Sequence, residues 1–380
     1  MTSRGRRVAV LGATGMVGRA AVQMLTRLGL TELRVGARDT SRLDSTVLPP
    51  GAERYRVDAD DPDSLAGFCS GATLVLNCAG PSYLLLDRVA RSALSVGSDY
   101  VDVSGDAAAY RLLEGSPLFG DRRIAVLGAG MLPGLANVVP RLLADDLTGA
   151  RLVVYAGGIE SFSPASAGDL ALSVDSSDGA GAGGDYWYGD ALAAWSGGRR
   201  RRNALPIGEN VEIAGFPGRV TTMPFLTADA ERLARSAGLS ELHWHNVLLG
   251  SALRPVLTRI RGRVRRDAAS LAAIIDEIRG AAERDLAGLD PFYLMAFTLS
   301  RPARTDTAVL RTVSSFQLTA ATAVCAVAAV LSGSVPPGLH YADEVLDPRD
   351  LIDGVSGLGA LPVWHTHCHA HDEPIEEGSL

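Results

Sequence analysis

The chain has 380 residues, 47% of them hydrophobic, with a formal net charge of −7. This length buries a large core and favours two domains over one, while the negative balance excludes the basic field that general nucleic-acid binding needs. Cys69, Cys78, Cys325 and Cys368 are scattered, without zinc spacing or a disulfide framework, which points to a reducing cytoplasm.

All 36 basic residues are arginine, since the sequence contains no lysine. A Schiff-base lysine, a phosphate-loop lysine and a Tyr-x-x-x-Lys pair are therefore all excluded. Met1 to Arg7 is basic but runs straight into a strand, so no cleavable leader is expected.

Val8 to Leu11 reads as a buried strand running into Gly12-Ala13-Thr14-Gly15-Met16-Val17-Gly18, with an amphipathic segment from Arg19 to Leu28 behind it. Glycines so spaced make a dinucleotide-binding turn. Gly12 permits the tight turn, Gly15 lets backbone N–H groups approach a pyrophosphate, and Gly18 lets the helix pack close. The helix N-terminus faces the phosphate charge, and Thr14, Met16 and Val17 complete the candidate cofactor contacts. The next strand, Leu33 to Val35, ends in Gly36-Ala37-Arg38, where an NAD site would place a carboxylate for the ribose. None stands at 36 or 37, whereas Arg38 and Arg42 suit a 2′-phosphate, so NADP is the expected cofactor. The alternative leaves both arginines in solvent and gives the ribose to Asp39.

Arg54 to Val57 reads as a third strand ending at Asp58, with Asp60 to Ser64 capping a helix; Asp58 and Ala59 are candidates for the adenine pocket. Thr73 to Cys78 is a buried strand that stops at Ala79-Gly80-Pro81, whose carboxyl end belongs in the ligand crevice. A helix over Leu84 to Val96, a strand at Tyr100 to Val103 and a sixth strand at Arg123 to Leu127 follow. The segment Gly130 to Asn137, after this last strand, is expected to close over the nicotinamide. This alternation predicts an α/β, Rossmann-type doubly wound parallel sheet.

From Arg151 the pattern changes. Leu152 to Tyr155 is strand-like and leads into a Gly/Ser/Ala-rich stretch, Gly157 to Gly184, which reads as a loop near substrate or a surface insert. Runs at Val211 to Ala214, Arg219 to Met223, Tyr293 to Leu299 and Thr307 to Val313, with helices at Thr227 to Ala237 and Ala268 to Arg284, predict an α+β domain covering the crevice. Leu318 to Leu331 reads as a buried helix, shorter than the roughly 20 residues of a membrane span. The runs Arg199 to Arg202 and Arg259 to Arg266 read as solvated faces, with docking of an acidic carrier protein as the alternative. His365, His367, His369 and His371 alternate, a comb able to hold Zn²⁺ or Ni²⁺; the acidic stretch Asp372 to Glu377 behind it favours a frayed, adventitious binder, and no metal site is expected.

Four segments, GATGMVG, LVLNCAGP, GSDYVDVSGD and LTAATAVCAVAAVLSGSVPPGLHYADEVLDP, resemble the saccharopine dehydrogenase-like (saccharopine reductase-like) NAD(P)-dependent oxidoreductases. They lie at both ends of the chain, and the middle third matches less. The resemblance implies hydride transfer between a nicotinamide and a C=N or similar carbon, with C-terminal helices that return to the first domain. The expected division is a dinucleotide-binding domain over 1–130, an α+β substrate domain over 131–313, returning helices over 314–360 and a His-rich, acidic tail over 361–380. Lysine-forming saccharopine dehydrogenases are associated with a Lys/His pair, which a lysine-free chain cannot supply.

Reduction needs a proton as well as a hydride. Tyr83, beyond Gly80-Pro81, is a candidate donor, with core packing as the competing role. Asp102 and Asp106 flank Ser104-Gly105 at a strand end, where substrate binding, proton relay and helix capping compete. Tyr186-Trp187-Tyr188 and His243-Trp244-His245 could line a substrate pocket, His245 as a general acid. The expected function is NADPH-dependent reduction of a C=N bond in a small biosynthetic metabolite, free or carrier-bound, in the cytoplasm, with no nucleic-acid or membrane partner. Enoyl or keto reduction, NADP sensing without turnover, and a homodimeric state remain open at this point.

Overall fold

The computed structural model describes residues 6–43, 48–105, 107–175, 188–260, 268–361 and 363–370. From the amino end, strands and helices alternate: β1 (Val8–Leu11), α1 (Met16–Arg27), β2 (Leu33–Ala37), β3 (Glu53–Arg56), α2 (Pro62–Cys69) and β4 (Leu74–Asn77). There follow α3 (Ser82–Leu85), α4 (Arg88–Ser95), β5 (Asp99–Asp102), α5 (Ala107–Leu113), β6 (Ile124–Leu127) and α6 (Leu135–Leu143). The middle of the chain adds β7 (Arg151–Ile159), α7 (Pro164–Asp175), β8 (Gly189–Ala191), β9 (Ala194–Ser196), β10 (Arg199–Arg201), β11 (Gly208–Glu212) and β12 (Arg219–Thr227). Then come α8 (Ala228–Ser236), β13 (Glu241–Leu248), α9 (Leu253–Ile260), α10 (Ala268–Leu286), β14 (Phe292–Arg301) and β15 (Arg304–Thr312). The last elements are α11 (Ser315–Ser332), β16 (Gly338–Tyr341), α12 (Ala342–Val345), α13 (Pro348–Gly357) and β17 (Val363–Ala370).

The first sheet is parallel, in the order β16-β6-β5-β4-β1-β2-β3. Every residue of β1, β4 and β6 is buried, as strands covered by helices on both faces must be. Val8, Val10, Leu74 and Leu76 face a cluster built with α1, α6, α11 and α13; Ala9, Leu11 and Val75 face the opposite cluster with Leu65, Phe68, Val89 and Leu113. The register Val10↔Val35 and Val10↔Leu76 aligns the carboxyl ends of β1, β2 and β4 along one edge.

The second sheet runs β10-β9-β13-β7-β14-β15-β17, with β12 also on β13 and carrying β11 and β8. One of its faces, with Leu152, Val154, Ala156, Met295 and Phe297, shares a core with Leu135, Val138 and Val139 of α6 and so with the first sheet. The other face buries Ile159, Val247, Phe292 and Leu294 under Phe216. Arg232 of α8 ties the two halves: it pairs with Asp343 at 2.5 Å and Asp229 at 2.9 Å, its guanidinium 3.9 Å from the Tyr341 ring centroid.

Four expectations need correction. The helix predicted over Leu84 to Val96 is two helices, because Leu86 at φ 51° breaks the hydrogen-bond ladder between α3 and α4. The stretch from Gly157 is not a loop: Gly157 to Ile159 stays in β7 and residues 164–175 form α7, while 176–184 lie outside the described residues. Inside the returning segment sits an unexpected strand, β16, parallel to β6 with His340↔Val126. The histidine comb is no frayed tail, since β17 pairs antiparallel with β15 in the register His365↔Val309 and His367↔Thr307. His365 and His367 are exposed on it, with ring centroids 6.5 Å apart; His371 and the acidic stretch lie outside the described residues.

Candidate cofactor crevice

The phosphate turn is built by three glycines with three different constraints. Gly12, at φ +78°, has no room for a side chain, because a Cβ would lie 2.7 Å from the Ala79 nitrogen. At Gly18 a Cβ would lie 2.2 Å from the Gly12 carbonyl oxygen, so α1 approaches β1 closely only because this residue is glycine. Gly15 differs: a Cβ there meets only the Gly12 oxygen, at 3.2 Å, and the space above it is open. Asp61, Thr227, Ser314 and Asp347 cap α2, α8, α11 and α13 with their side chains, yet α1 begins at Gly15 with no side-chain cap and no acidic residue in its first turn. Its first N–H groups are left for an anion, and the turn fits a pyrophosphate. Met16 is exposed; Thr14 and Val17 are half-buried beside it.

At the adenosine end, Gly36 is packed so that a Cβ would lie 2.5 Å from the Phe68 ring, which leaves no space for a ribose-binding carboxylate. Asp39 is exposed, and its Oδ1 accepts from the Ser41 N–H at 3.0 Å and the Ser41 hydroxyl at 2.6 Å, bonds that lower its carboxyl from the ordinary value. Arg38 and Arg42 are exposed just beyond β2, and the Arg42 carbonyl accepts from Arg19 at 3.4 Å. Asp58 is exposed and accepts from the Asp60 N–H at 3.0 Å; Ala59 is half-buried, and its carbonyl accepts from Arg88 at 3.3 Å. Because these strands are parallel, the fold brings Gly12 to Gly18, Arg38, Asp58, Ala59 and Ala79 to Pro81 to one edge.

Toward β5 the arrangement departs from the sequence reading. Asp102 is 3% exposed. Its Oδ2 accepts from the Tyr100 hydroxyl at 2.5 Å and Asn77 Nδ2 at 3.0 Å, and its Oδ1 from the Ser104 N–H at 2.8 Å. Burial raises its carboxyl above the ordinary value. Asn77 passes the constraint on by accepting from the Ala79 N–H at 3.0 Å. Asp102 therefore fastens the ends of β4 and β5 rather than presenting a proton to substrate. Asp106 lies outside the described residues.

His245 is also misplaced by the sequence reading. It pairs with Tyr155 in register and stacks on that ring at 4.8 Å, on the face of the second sheet opposite the one that shares its core with the first. Burial lowers its imidazole to about 4, so it is neutral near pH 7 and turned away from the crevice. Tyr83 remains at the seam between the halves, its ring 3.9 Å from that of Tyr188. Tyr186 and Trp187 lie outside the described residues.

Two carboxyls that sequence reasoning missed cross this seam. Asp169 of α7 accepts from the Ser82 hydroxyl at 3.1 Å and the Tyr83 N–H at 3.3 Å, and burial lifts it to about 6. Glu160, just past β7, accepts from the Ser315 N–H at 3.0 Å and from the Ser315 hydroxyl, and burial raises it too. The only trace of Asp169 in the sequence is a lone charge in a run of small residues.

The family described as saccharopine dehydrogenase NADP binding domain matches residues 8–115. A probable mitochondrial saccharopine dehydrogenase-like oxidoreductase of Arabidopsis thaliana is 30% identical over 112 residues, 26% of this chain and 25% of that protein, so the match spans about a quarter of the relative's length. An apo saccharopine dehydrogenase (L-Glu forming) from Saccharomyces cerevisiae superposes with a TM-score of 0.62 at 15% identity, covering 96% of this chain and 100% of that one, which shows a common fold. Residues 8–115 thus match a saccharopine dehydrogenase NADP-binding domain, and the chain as a whole shares the fold of the yeast saccharopine dehydrogenase.

Proposed function

We propose that the protein is an NADPH-dependent reductase acting on the C=N bond of a small metabolite, free or presented by a carrier protein. The observation that carries the reading is the uncapped phosphate turn at Gly15 beside an adenosine end that has exposed Arg38 and Arg42 and no room for a side chain at Gly36. When bound, NADPH would supply the hydride. The residues of this chain would bind and orient it: Gly12 to Gly18 at the pyrophosphate, Arg38 and Arg42 at the 2′-phosphate, Asp58 and Ala59 at the adenine edge, and Ala79 to Pro81 along the nicotinamide half. Helix α7 of the second half packs on Gly80 and Pro81, where it would help keep water from a polarised C=N. Tyr83 is the sequence candidate left at the seam to deliver the proton.

The test is single-turnover oxidation of bound NADPH with a panel of cyclic and carrier-bound imines beside enoyl and keto analogues. Turnover on imines alone supports the reading. Turnover on the oxygen or carbon acceptors instead replaces it, and binding without turnover on any of them favours a sensor.

A further inference from the structure

The helix α7 leaves the second sheet and lies across the carboxyl end of β4. The Ala165 Cβ stands 3.1 Å from where a Cβ on Gly80 would be, and Asp169 Oδ2 stands 3.7 Å from the same point. From the other side, Pro81 Cγ lies 2.7 Å from where a Cβ on Gly168 would be, so glycine on each partner lets the two backbones meet. α3 follows Pro81, which offers it no side-chain cap. Asp169 supplies the cap from outside, its Oδ1 accepting from the Tyr83 N–H and the Ser82 hydroxyl.

The strand order places this segment. β2 and β3, with Arg38 and Asp58, lie on one side of β1, and β4 to β6 lie on the other. A dinucleotide with its pyrophosphate at Gly15 and its 2′-phosphate at Arg38 therefore runs its nicotinamide half past Gly80. We propose that Asp169 is a positioning residue for that half of the cofactor. By holding Gly80 to Tyr83 it makes the nicotinamide wall a joint structure of both domains, so that α7 and the hydride donor keep one register. The inference rests on the NADP reading above.

Asp169→Asn is nearly isosteric and keeps an Oδ1 that can accept from both donors, but as an uncharged acceptor, and Ser82→Ala removes one donor. The wild type and both variants are titrated with NADPH and separately with 2′,5′-ADP, which carries only the adenosine half, and amide exchange is followed over residues 79–87. The expected result for Asp169→Asn is about tenfold weaker NADPH binding, the scale of a charged hydrogen bond made neutral, with 2′,5′-ADP unchanged and the Tyr83 and Leu84 amides exchanging faster. Ser82→Ala should move the same readouts less. Unchanged NADPH affinity in Asp169→Asn overturns the inference, and so does an equal loss of 2′,5′-ADP, which would mean damage to the whole domain. A wild type that binds neither ligand overturns the NADP reading, and the cofactor part of this inference with it; the exchange result still decides whether Asp169 holds the segment.

Discussion

Asp169 and Ser82, one on α7 and the other at the carboxyl edge of the first sheet, are joined by a 3.1 Å hydrogen bond across the seam between the halves. Desolvation lifts the Asp169 carboxyl from 3.8 to about 6 despite that bond. An acid whose pKa is higher folded than unfolded adds stability that is fully present below the unfolded value and is lost as pH rises through the folded one. The gap in unfolding free energy between wild type and Asp169→Asn should therefore move toward the wild type by up to about 3 kcal/mol from pH ~7 down to pH ~4. Urea melts of both proteins at the two pH values measure it, and a gap that does not change with pH contradicts the desolvated carboxyl.

Gly15→Val and Gly18→Ala should fail in opposite ways. The first places a side chain in open space over the turn and should leave a folded protein without NADPH binding. The second drives a Cβ to 2.2 Å from a backbone oxygen and should cost about 1–3 kcal/mol or more of stability. Thermal melts with NADPH titration separate them; wild-type affinity in folded Gly15→Val would move the phosphate site elsewhere.

Arg38→Ala should weaken NADPH binding about tenfold or more while sparing NADH, because the lost contact is a charge-assisted bond to a phosphate that NADH lacks. Parallel titrations with the two cofactors decide it, and equal losses for both rule out a 2′-phosphate contact.

Asp102→Ala should be a stability variant. It strips partners from the Tyr100 hydroxyl, the Asn77 amide and the Ser104 N–H, all at a carboxyl only 3% exposed, and should cost about 3 kcal/mol or more. A chemical melt checks this. Wild-type stability with lost turnover would return Asp102 to the chemistry.

The residues that proved legible are those whose identity is dictated locally. Gly18 must be glycine for a contact with Gly12 inside the same turn and Gly12 for its left-handed φ, and the strands before and after them announce themselves as apolar runs. Asp169 was not legible, because α7 is made of small residues with little amphipathic contrast and owes its helical state to packing on α10 through Ala167, Ala171 and Ile278. β16 offers four residues behind two prolines, and only the open side of β6 makes them a strand. In β17 His365 and His367 take exposed positions of an edge strand while Trp364 packs inward, so their alternation follows the two-residue period of a sheet. His245 misled for a related reason: its type suggested chemistry, but the face it occupies was set by long-range pairing with Tyr155.

The seventh strand of the first sheet has a consequence for how the molecule is made. During synthesis β1 to β6 leave the ribosome early, but the strip of backbone on β6 and the α1 surface that α11 covers wait for partners encoded beyond the whole second sheet domain. Until then the nascent nucleotide half presents an unpaired edge and a greasy flank, the condition under which chains stick to one another. Excising the amino-terminal third as a small cofactor-binding module would freeze it in that unfinished state; a soluble version would need the returning α11–β16 segment spliced behind β6 by a short linker.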